Sequence, residues 1–127
     1  MPRTAPLIAI VDDDESMRKA ITGLMRSVGL AAEAFSSAED FIASPQVCHT
    51  ACLVSDVNMP GMSGLDLHRN LVRSGNNIPT ILVTAYPSEA VRSRALSAGV
   101  LCYLIKPFQD RDLLGCINSA LQGRDST

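Results

Sequence analysis

The chain has 127 residues, of which 46% are hydrophobic, and its formal net charge is −2. This length fits one domain, and the hydrophobic fraction is sufficient for a packed core, which excludes a disordered chain. The near balance of 11 basic and 13 acidic residues argues against nucleic-acid binding by charge alone but leaves protein partners open. No apolar run approaches the roughly 20 residues of a membrane-spanning helix, and the first 11 residues make a poor secretory signal. We therefore expect a cytoplasmic protein without a membrane segment.

Five short apolar runs alternate with five helical patterns along the chain. The predicted strands cover residues 7–11, 31–35, 51–56, 80–84 and 100–105. The predicted helices cover residues 16–28, 37–42, 65–72, 88–98 and 110–121, with Asp110 as the cap of the last one. Gly29 and Gly99 follow two of the helices, where a left-handed residue commonly ends a helix. Residues 45–50 are predicted to form a loop, and residues 123–127 a polar tail.

This alternation indicates an α/β fold. Strands that are apolar on both faces are typical of a parallel sheet covered by helices on both sides. Right-handed crossovers then place the carboxyl ends of all the strands at one edge of the sheet. We expect a single domain over residues 1–127, with its core at about residues 7–121.

Polar side chains follow four of the five predicted strands, at the edge where ligands bind in such sheets. They are Asp12, Asp13 and Asp14 after the first strand, Asp56 at the end of the third, Thr84 at the end of the fourth, and Lys106 after the fifth. Carboxylates brought this close raise one another's pKa, and a hard divalent cation such as Mg²⁺ relieves their repulsion. A remaining carboxylate can then attack phosphorus and form an acyl phosphate, while the cation, the Lys and the Thr hydroxyl neutralise and align the phosphoryl group.

Each of these residues alone has an ordinary structural explanation. The three consecutive aspartates could simply cap the first helix. Thr84 alone is a good strand former, and Lys106 alone is a surface residue at the end of a strand. The coincidence of all of them at strand carboxyl ends favours a shared site.

Four segments of the chain, in this order, resemble the receiver domain of two-component response regulators, the CheY-like superfamily. They are residues 11–14 (VDDD), 55–64 (SDVNMPGMSG), 83–85 (VTA) and 103–108 (YLIKPF). The resemblance covers essentially residues 7–121. It implies a flavodoxin-like, doubly wound (βα)5 domain with a five-stranded parallel sheet in the order 2-1-3-4-5.

The resemblance also implies a role for each matching residue. Asp56 would be the phosphoacceptor, and Lys106 would contact the phosphoryl group. The Lys106–Pro107 peptide is usually cis in this family. Mg²⁺ or Mn²⁺ would be bound by Asp13, by Asp56, by the backbone carbonyl of Asn58 and, through water, by Asp12. The switch residues would be Thr84, which moves onto the phosphoryl group, and Tyr103, which turns inward with it.

The implied function is a signalling switch that catalyses its own metal-dependent phosphorylation and dephosphorylation. The phosphoryl donor would be a sensor histidine kinase or a phosphotransfer protein. Phosphorylation would change the binding of an unidentified protein target around the fourth and fifth helices, where a homodimer could also form. The loop at residues 59–64 resembles that of receivers joined to helix-turn-helix output domains, so a complete regulator and a part of a longer one both stay open.

Two further positions leave alternatives. Asp14 is interpreted as a helix cap. Tyr86, two residues after Thr84, could shield the site from water or could be a half-exposed loop aromatic.

Three other functions are disfavoured by the sequence. A phosphatase with an aspartyl nucleophile needs an acid two residues after Asp56, where Asn58 stands. A phosphorylation-independent adaptor of this fold would have lost Asp56, Thr84 or Lys106, and a nucleotide-binding domain would have a glycine-rich loop after the first strand.

A zinc site at Cys48, His49 and Cys52 lacks a second pair with ligand spacing, so we expect reduced thiols, with Cys102 and Cys116 as small core residues.

Overall fold

A computed structural model describes the chain from residue 6 to residue 125. It contains five strands, which are β1 (Leu7–Val11), β2 (Ala31–Phe35), β3 (Thr50–Asp56), β4 (Thr80–Thr84) and β5 (Cys102–Ile105). All neighbouring strands pair in parallel, and their order in the sheet is β2-β1-β3-β4-β5. The predicted α/β class, flavodoxin-like topology and strand order are confirmed.

Five α-helices connect or follow the strands. They are α1 (Glu15–Ser27), α2 (Ala38–Ile42), α3 (Gly64–Arg73), α4 (Glu89–Ser97) and α5 (Asp110–Asp125). Gly29 and Gly99 adopt φ values of +83° and +99°, so each ends its helix in the left-handed conformation that the sequence predicted. No helix among residues 6–125 is both long and apolar enough to cross a bilayer.

The predicted secondary structure was wrong in three regions of the chain. Residues 45–49, predicted as loop, form a 3-10 helix (Pro45–His49), because Pro45 fixes the first turn and the Ser44 side chain accepts the N–H of Gln46. The start of β5 was placed too early, because the N–H of Val100 donates to the carbonyl of Ala95 at the end of α4. The N–H of Leu101 then donates to the carbonyl of Thr80, and the paired residues of β5 begin at Cys102, opposite Ile81.

The third error concerns α5. Asp110 is the first residue of this helix and not its cap, since the N–H groups of Asp112 and Leu113 both donate to the carbonyl of Gln109. The helix also continues to Asp125, so residues 123–125 are helical where a polar tail was predicted. The rest of the predicted tail, residues 126–127, lies outside the described residues.

The two faces of the sheet carry separate cores because successive side chains of a strand point to opposite faces. One core joins β1, β3 and β4 to α1 and α5, and its members include Ile8, Ile10, Val54, Ile81, Val83, Met25, Leu113 and Ile117. On the other face, one cluster joins the sheet to α2 and α3, and another joins it to α4; they include Val11, Leu53, Phe41, Leu67, Leu82 and Ala95. Helices therefore cover both faces, and the site is confined to the edge of the sheet.

Phe41 of α2 is fully buried, and its ring centroid lies 5.2 Å from that of Phe35 in β2. Phe41→Ala should lower the free energy of unfolding by about 3–5 kcal/mol, because it removes buried surface and leaves a cavity. Urea denaturation at neutral pH measures the change. Val72→Ala is the control, since Val72 is 49% exposed and should shift stability by no more than about 0.5 kcal/mol. Equal effects of the two substitutions would contradict this description of the core.

Candidate functional site

The carboxyl ends of four strands meet at one edge of the sheet. The strand registers place Val11 beside Ser55, Asp56 beside Val83, and Thr84 beside Ile105. The residues at or directly after these ends are the ones that the sequence selected, namely Asp12, Asp56, Thr84 and Lys106. Their proximity follows from the parallel pairing and from the strand order.

Three carboxyl groups form a compact cluster at this edge. One carboxylate oxygen from each of Asp12, Asp13 and Asp56 lies within 4.8 Å of the others. Asp12 and Asp56 are almost completely buried, at 1% and 7% exposure, whereas Asp13 is exposed to solvent. A donor set made only of carboxylate oxygens, one of them open to water, suits a hard divalent cation such as Mg²⁺ or Mn²⁺.

Lys106 joins this cluster from the end of β5. Its Nζ lies 3.1 Å from Oδ2 of Asp12 and 3.5 Å from Oδ1 of Asp56. Burial alone would lower the pKa of Lys106, but the hydrogen bond and charge of Asp12, together with the charge of Asp56, raise it above its usual value. The ammonium is therefore firmly protonated. The Lys106–Pro107 peptide is cis, as the resemblance implied.

The surroundings of the Asp56 carboxyl group disfavour its charged form. Its pKa is raised, first by burial and then by the negative charge of Asp12, and Asp13 adds a smaller repulsion. Lys106 opposes this shift without cancelling it. One ammonium among three carboxylates leaves an excess of negative charge that a bound cation would neutralise.

Backbone contacts hold Asp12 in place. Its Oδ1 accepts a hydrogen bond from the N–H of Asp14 at 2.9 Å. Its backbone carbonyl oxygen accepts a hydrogen bond from Nη1 of Arg18 at 2.8 Å. The Asp14 side chain points the other way and accepts the N–H of Ser16 as the N-cap of α1. The interpretation of Asp14 as a cap is confirmed.

Thr84 is fully buried at the end of β4. Its hydroxyl donates to Oδ1 of Asn58 at 2.8 Å and accepts the N–H of Tyr86 at 2.9 Å. The resemblance implied a role only for the backbone carbonyl of Asn58, and this side-chain contact was not predicted. A short amide two residues after Asp56, on a loop facing a strand-end hydroxyl, was the signal that could have revealed it.

The two aromatic residues near the site differ in burial. Tyr103 of β5 is partly buried, and its hydroxyl accepts the N–H of Ser88, the N-cap of α4, at 3.1 Å. It therefore links β5 to the start of α4. The Tyr86 side chain is 74% exposed, which favours the loop aromatic over a shield of the site.

Gly64 is a site residue that the sequence analysis did not single out. A Cβ at this position would clash with the carbonyl oxygen of Asp56, so only glycine allows α3 to start so close to the end of β3. Its N–H donates to the carbonyl of Val57 at 3.1 Å. This close approach fixes the return of the loop that follows Asp56.

The four thiols do not form a comparable site. Cys48 is exposed and Cys52 is buried, while Cys102 and Cys116 are partly buried against the core. Burial, with a smaller effect of Cys102 and Cys116, raises the pKa of Cys52 to about 12, so this thiol stays protonated. Among the side chains of residues 6–122, the aspartate cluster is the single group of three or more candidate ligands within reach of one metal ion.

Comparison with known proteins agrees with this geometry. The family model of the response regulator receiver domain matches residues 8–118. This chain belongs to that family. Nodulation protein W of Bradyrhizobium diazoefficiens is 40% identical over 94% of this chain and 52% of its own length. Response regulator protein TodT of Pseudomonas putida is 39% identical over 96% of this chain and 54% of its own length.

A solved structure extends the comparison. The crystal structure of FixJ-N is 35% identical, with a TM-score of 0.84, over 94% of this chain and 96% of that chain. The chain spans about half the length of the curated relatives it matches. The family assignment therefore covers the receiver domain, and the activity of a longer protein is a separate question.

Removing the charge of Asp56 should stabilise the protein at neutral pH in the absence of divalent cations. Because the folded-state pKa of Asp56 is raised, its contribution to stability is complete below the ordinary value of 3.8 and is lost as the pH rises through the folded-state pKa. Asp56→Asn should raise the free energy of unfolding at pH 7 by about 1 kcal/mol, the scale of an ordinary single substitution. This gain should shrink as the pH falls.

Urea denaturation in the presence of a chelator, repeated over a series of pH values, measures this difference. Asp66→Asn is the matched control, because Asp66 lies in the first turn of α3 and its charge favours the helix. That substitution should lower stability by about 0.3–1 kcal/mol. A variant lacking the Asp56 charge that is less stable than the original protein at pH 7 would show that Lys106 outweighs burial and repulsion.

Proposed function

We propose that Asp56 is the phosphoacceptor of a two-component signalling receiver. The observation that carries this proposal is the convergence of Asp12, Asp13 and Asp56 within 4.8 Å, with Nζ of Lys106 in contact with two of them. Asp56 lies at the end of the central strand β3, between the acids after β1 and the hydroxyl at the end of β4. An incoming phosphoryl group would meet all of these groups at this position.

The metal ligands in this proposal are carboxylate oxygens of Asp13 and Asp56 and the backbone carbonyl of Asn58, with Asp12 acting through water. The oxygen donors fit Mg²⁺ or Mn²⁺. When bound, the ion neutralises charge on the acids and on the phosphoryl oxygens. Burial and the neighbouring acids raise the pKa of Asp56, and a cation would relieve this cost of its charge.

The residues of the chain then carry the transfer. An Asp56 oxygen forms a bond to phosphorus while the bond from phosphorus to the donor histidine nitrogen breaks. The imidazole leaves as a neutral ring, because its other nitrogen already carries a proton. Lys106 stabilises the transferring phosphoryl oxygens by charge. Thr84 donates its hydroxyl hydrogen to a phosphoryl oxygen and gives up its present bond to Asn58.

The movement of Thr84 provides a route to the surface. Its backbone pairs with Ile105 of β5, and Tyr103 of the same strand is hydrogen-bonded to the start of α4. We propose that Thr84 and Tyr103 change the surface formed by α4, β5 and α5 on phosphorylation. Among residues 6–125, this region holds three of the exposed large apolar side chains, namely Leu96, Leu101 and Ile105.

An exposed apolar surface of this kind suits a protein partner. We propose that it binds a downstream protein target or a second copy of the chain through α4 and α5. The phosphoryl donor is a sensor histidine kinase or a phosphotransfer protein, which places this reaction in the cytoplasm. Residues 1–127 form one receiver domain in this proposal, and it acts as a switch that promotes its own phosphorylation and dephosphorylation.

Asp56→Asn should abolish labelling of the protein by acetyl phosphate in the presence of Mg²⁺. The amide is a far weaker nucleophile than the carboxylate, and no other carboxylate in the cluster ends β3. Intact-mass spectrometry at low temperature measures the added phosphoryl group. Asp66→Asn, an exposed acid near the same loop, is the control and should be labelled like the original protein.

Removal of Mg²⁺ with a chelator should also abolish labelling of the original protein. Labelling that persists in full on Asp56→Asn at another residue would overturn the assignment of the phosphoacceptor. Steady turnover of a small phosphate ester without an accumulating aspartyl phosphate would favour an enzyme instead of a switch.

A further inference from the structure

The loop between β3 and α3, residues 57–63, is here called the active-site loop. It carries Asn58, whose side chain accepts the hydroxyl hydrogen of Thr84 and whose carbonyl is a proposed metal ligand. Val57, at the start of the loop, is buried and belongs to the cluster beside α4. Beyond it, Asn58, Pro60 and Gly61 are exposed, and Met59 and Met62 pack, in part, against the core beside α2. The exposed tip of the loop buries little surface and needs polar contacts to keep one conformation.

Two hydrogen bonds supply such contacts in addition to those of Val57 with Val83 and of Asn58 with Thr84. At the base of the loop, the N–H of Gly64 donates to the carbonyl of Val57 at 3.1 Å. Near its tip, the N–H of Met62 donates to Oε2 of Glu39 at 3.1 Å. Glu39 lies in α2, 23 residues earlier in the chain, so this contact joins the loop to a separate element of the fold.

The backbone at Gly61 is shaped to admit the Glu39 carboxylate. Gly61 has a φ of +77°, and a Cβ at this position would lie 2.8 Å from Oε2 of Glu39. A side chain at residue 61 would therefore meet both a strained backbone and the carboxylate oxygen. The absence of a side chain there leaves room for the Glu39 carboxylate at its present position.

Glu39 has no competing partner among the side chains that the structure describes. None of their cationic groups lies within 4.0 Å of its carboxylate. Its neighbour Asp40, also in the first turn of α2, accepts the hydroxyl of Ser36 at 3.2 Å instead. The two adjacent acids thus have different roles, and only Glu39 reaches the active-site loop.

We infer that Glu39 is a positioning residue of the phosphorylation site. It holds Met62 and so fixes the active-site loop, which keeps the carbonyl of Asn58 beside the aspartate cluster. This inference rests on the proposed function for its consequence, since Asn58 is a ligand only if the cluster binds a divalent cation. The hydrogen bond itself can be tested without the cation.

The test compares Glu39→Ala, Glu39→Gln and the matched control Asp40→Ala. The first readout is hydrogen exchange of the Met62 amide in metal-free protein, followed by NMR. The second is the Mn²⁺ dissociation constant from paramagnetic line broadening, and the third is the Mg²⁺ dependence of labelling by acetyl phosphate. Urea denaturation of each variant separates loop effects from global unfolding.

Glu39→Ala should speed exchange of the Met62 amide about tenfold and weaken Mn²⁺ binding about three- to tenfold, the loss expected for one exposed hydrogen bond to a charged acceptor. Glu39→Gln keeps an acceptor oxygen and should recover most of both losses. Asp40→Ala should leave both values unchanged. If Glu39 served only the stability of the fold, Glu39→Ala would lower the free energy of unfolding but leave the Mn²⁺ affinity unchanged. There would then be no loss of affinity for Glu39→Gln to recover.

Unchanged Met62 exchange and unchanged Mn²⁺ affinity in Glu39→Ala would overturn the inference, even if Asp56 were fully labelled. If Asp56 of the original protein were not labelled at all, the proposed function would fail. The amide exchange and Mn²⁺ binding of the Glu39 variants would still decide the role of Glu39.

Discussion

The burial of two carboxylates against each other, with one ammonium between them, is the constraint on which the site depends. Asp12 and Asp56 are nearly inaccessible to solvent, and Lys106 contacts both. Charges so close together in a poorly hydrated place cost free energy unless a partner offsets them. Lys106 offsets part of this cost, and the raised pKa of Asp56 shows that part of it is still present.

The fold provides this arrangement through the order of its strands. The central strand β3 lies between β1 and β4, so Asp56 has the acids after β1 on one side and Thr84 on the other. Lys106 comes from β5, beyond β4, and its long side chain reaches back to Asp12 and Asp56. The cores on both faces of the sheet hold these strand ends rigidly, which keeps the like charges together.

In the proposed function, phosphorylation would change the loops around the cluster while the strand ends stay in place. The Thr84 hydroxyl has two hydrogen-bond partners, Asn58 and Tyr86, and both belong to loops. A phosphoryl group on Asp56 would compete with Asn58 for the Thr84 hydroxyl, so a local exchange of partners would change the loop after β4. Because β4 and β5 are paired and Tyr103 contacts Ser88, that change would, in the proposed function, reach the start of α4.

Much of this architecture was predictable from local sequence patterns. Continuous apolar runs and helical spacing identified the five strands and five α-helices of residues 6–125, since burial leaves a direct mark on composition, but they did not identify the 3-10 helix at Pro45–His49. The site residues were identified because strand-end acids, a hydroxyl and a lysine stand out against those apolar runs, and the resemblance to receivers made their combination specific. The cap at Asp14 and the left-handed conformation of Gly29 and Gly99 depend on local backbone chemistry. The sequence therefore predicted them correctly.

Tertiary structure decided what depends on distant partners. The start of β5 was set by the carbonyl of Ala95, and the contact of the Asn58 side chain by Thr84, 26 residues away. The need for glycine at residue 64 arises only because α3 begins against the carbonyl of Asp56. The sequence by itself determined which residues end the strands. Only the packed fold determined their distances, burial and pKa shifts, because these arise from neighbours that local patterns do not specify.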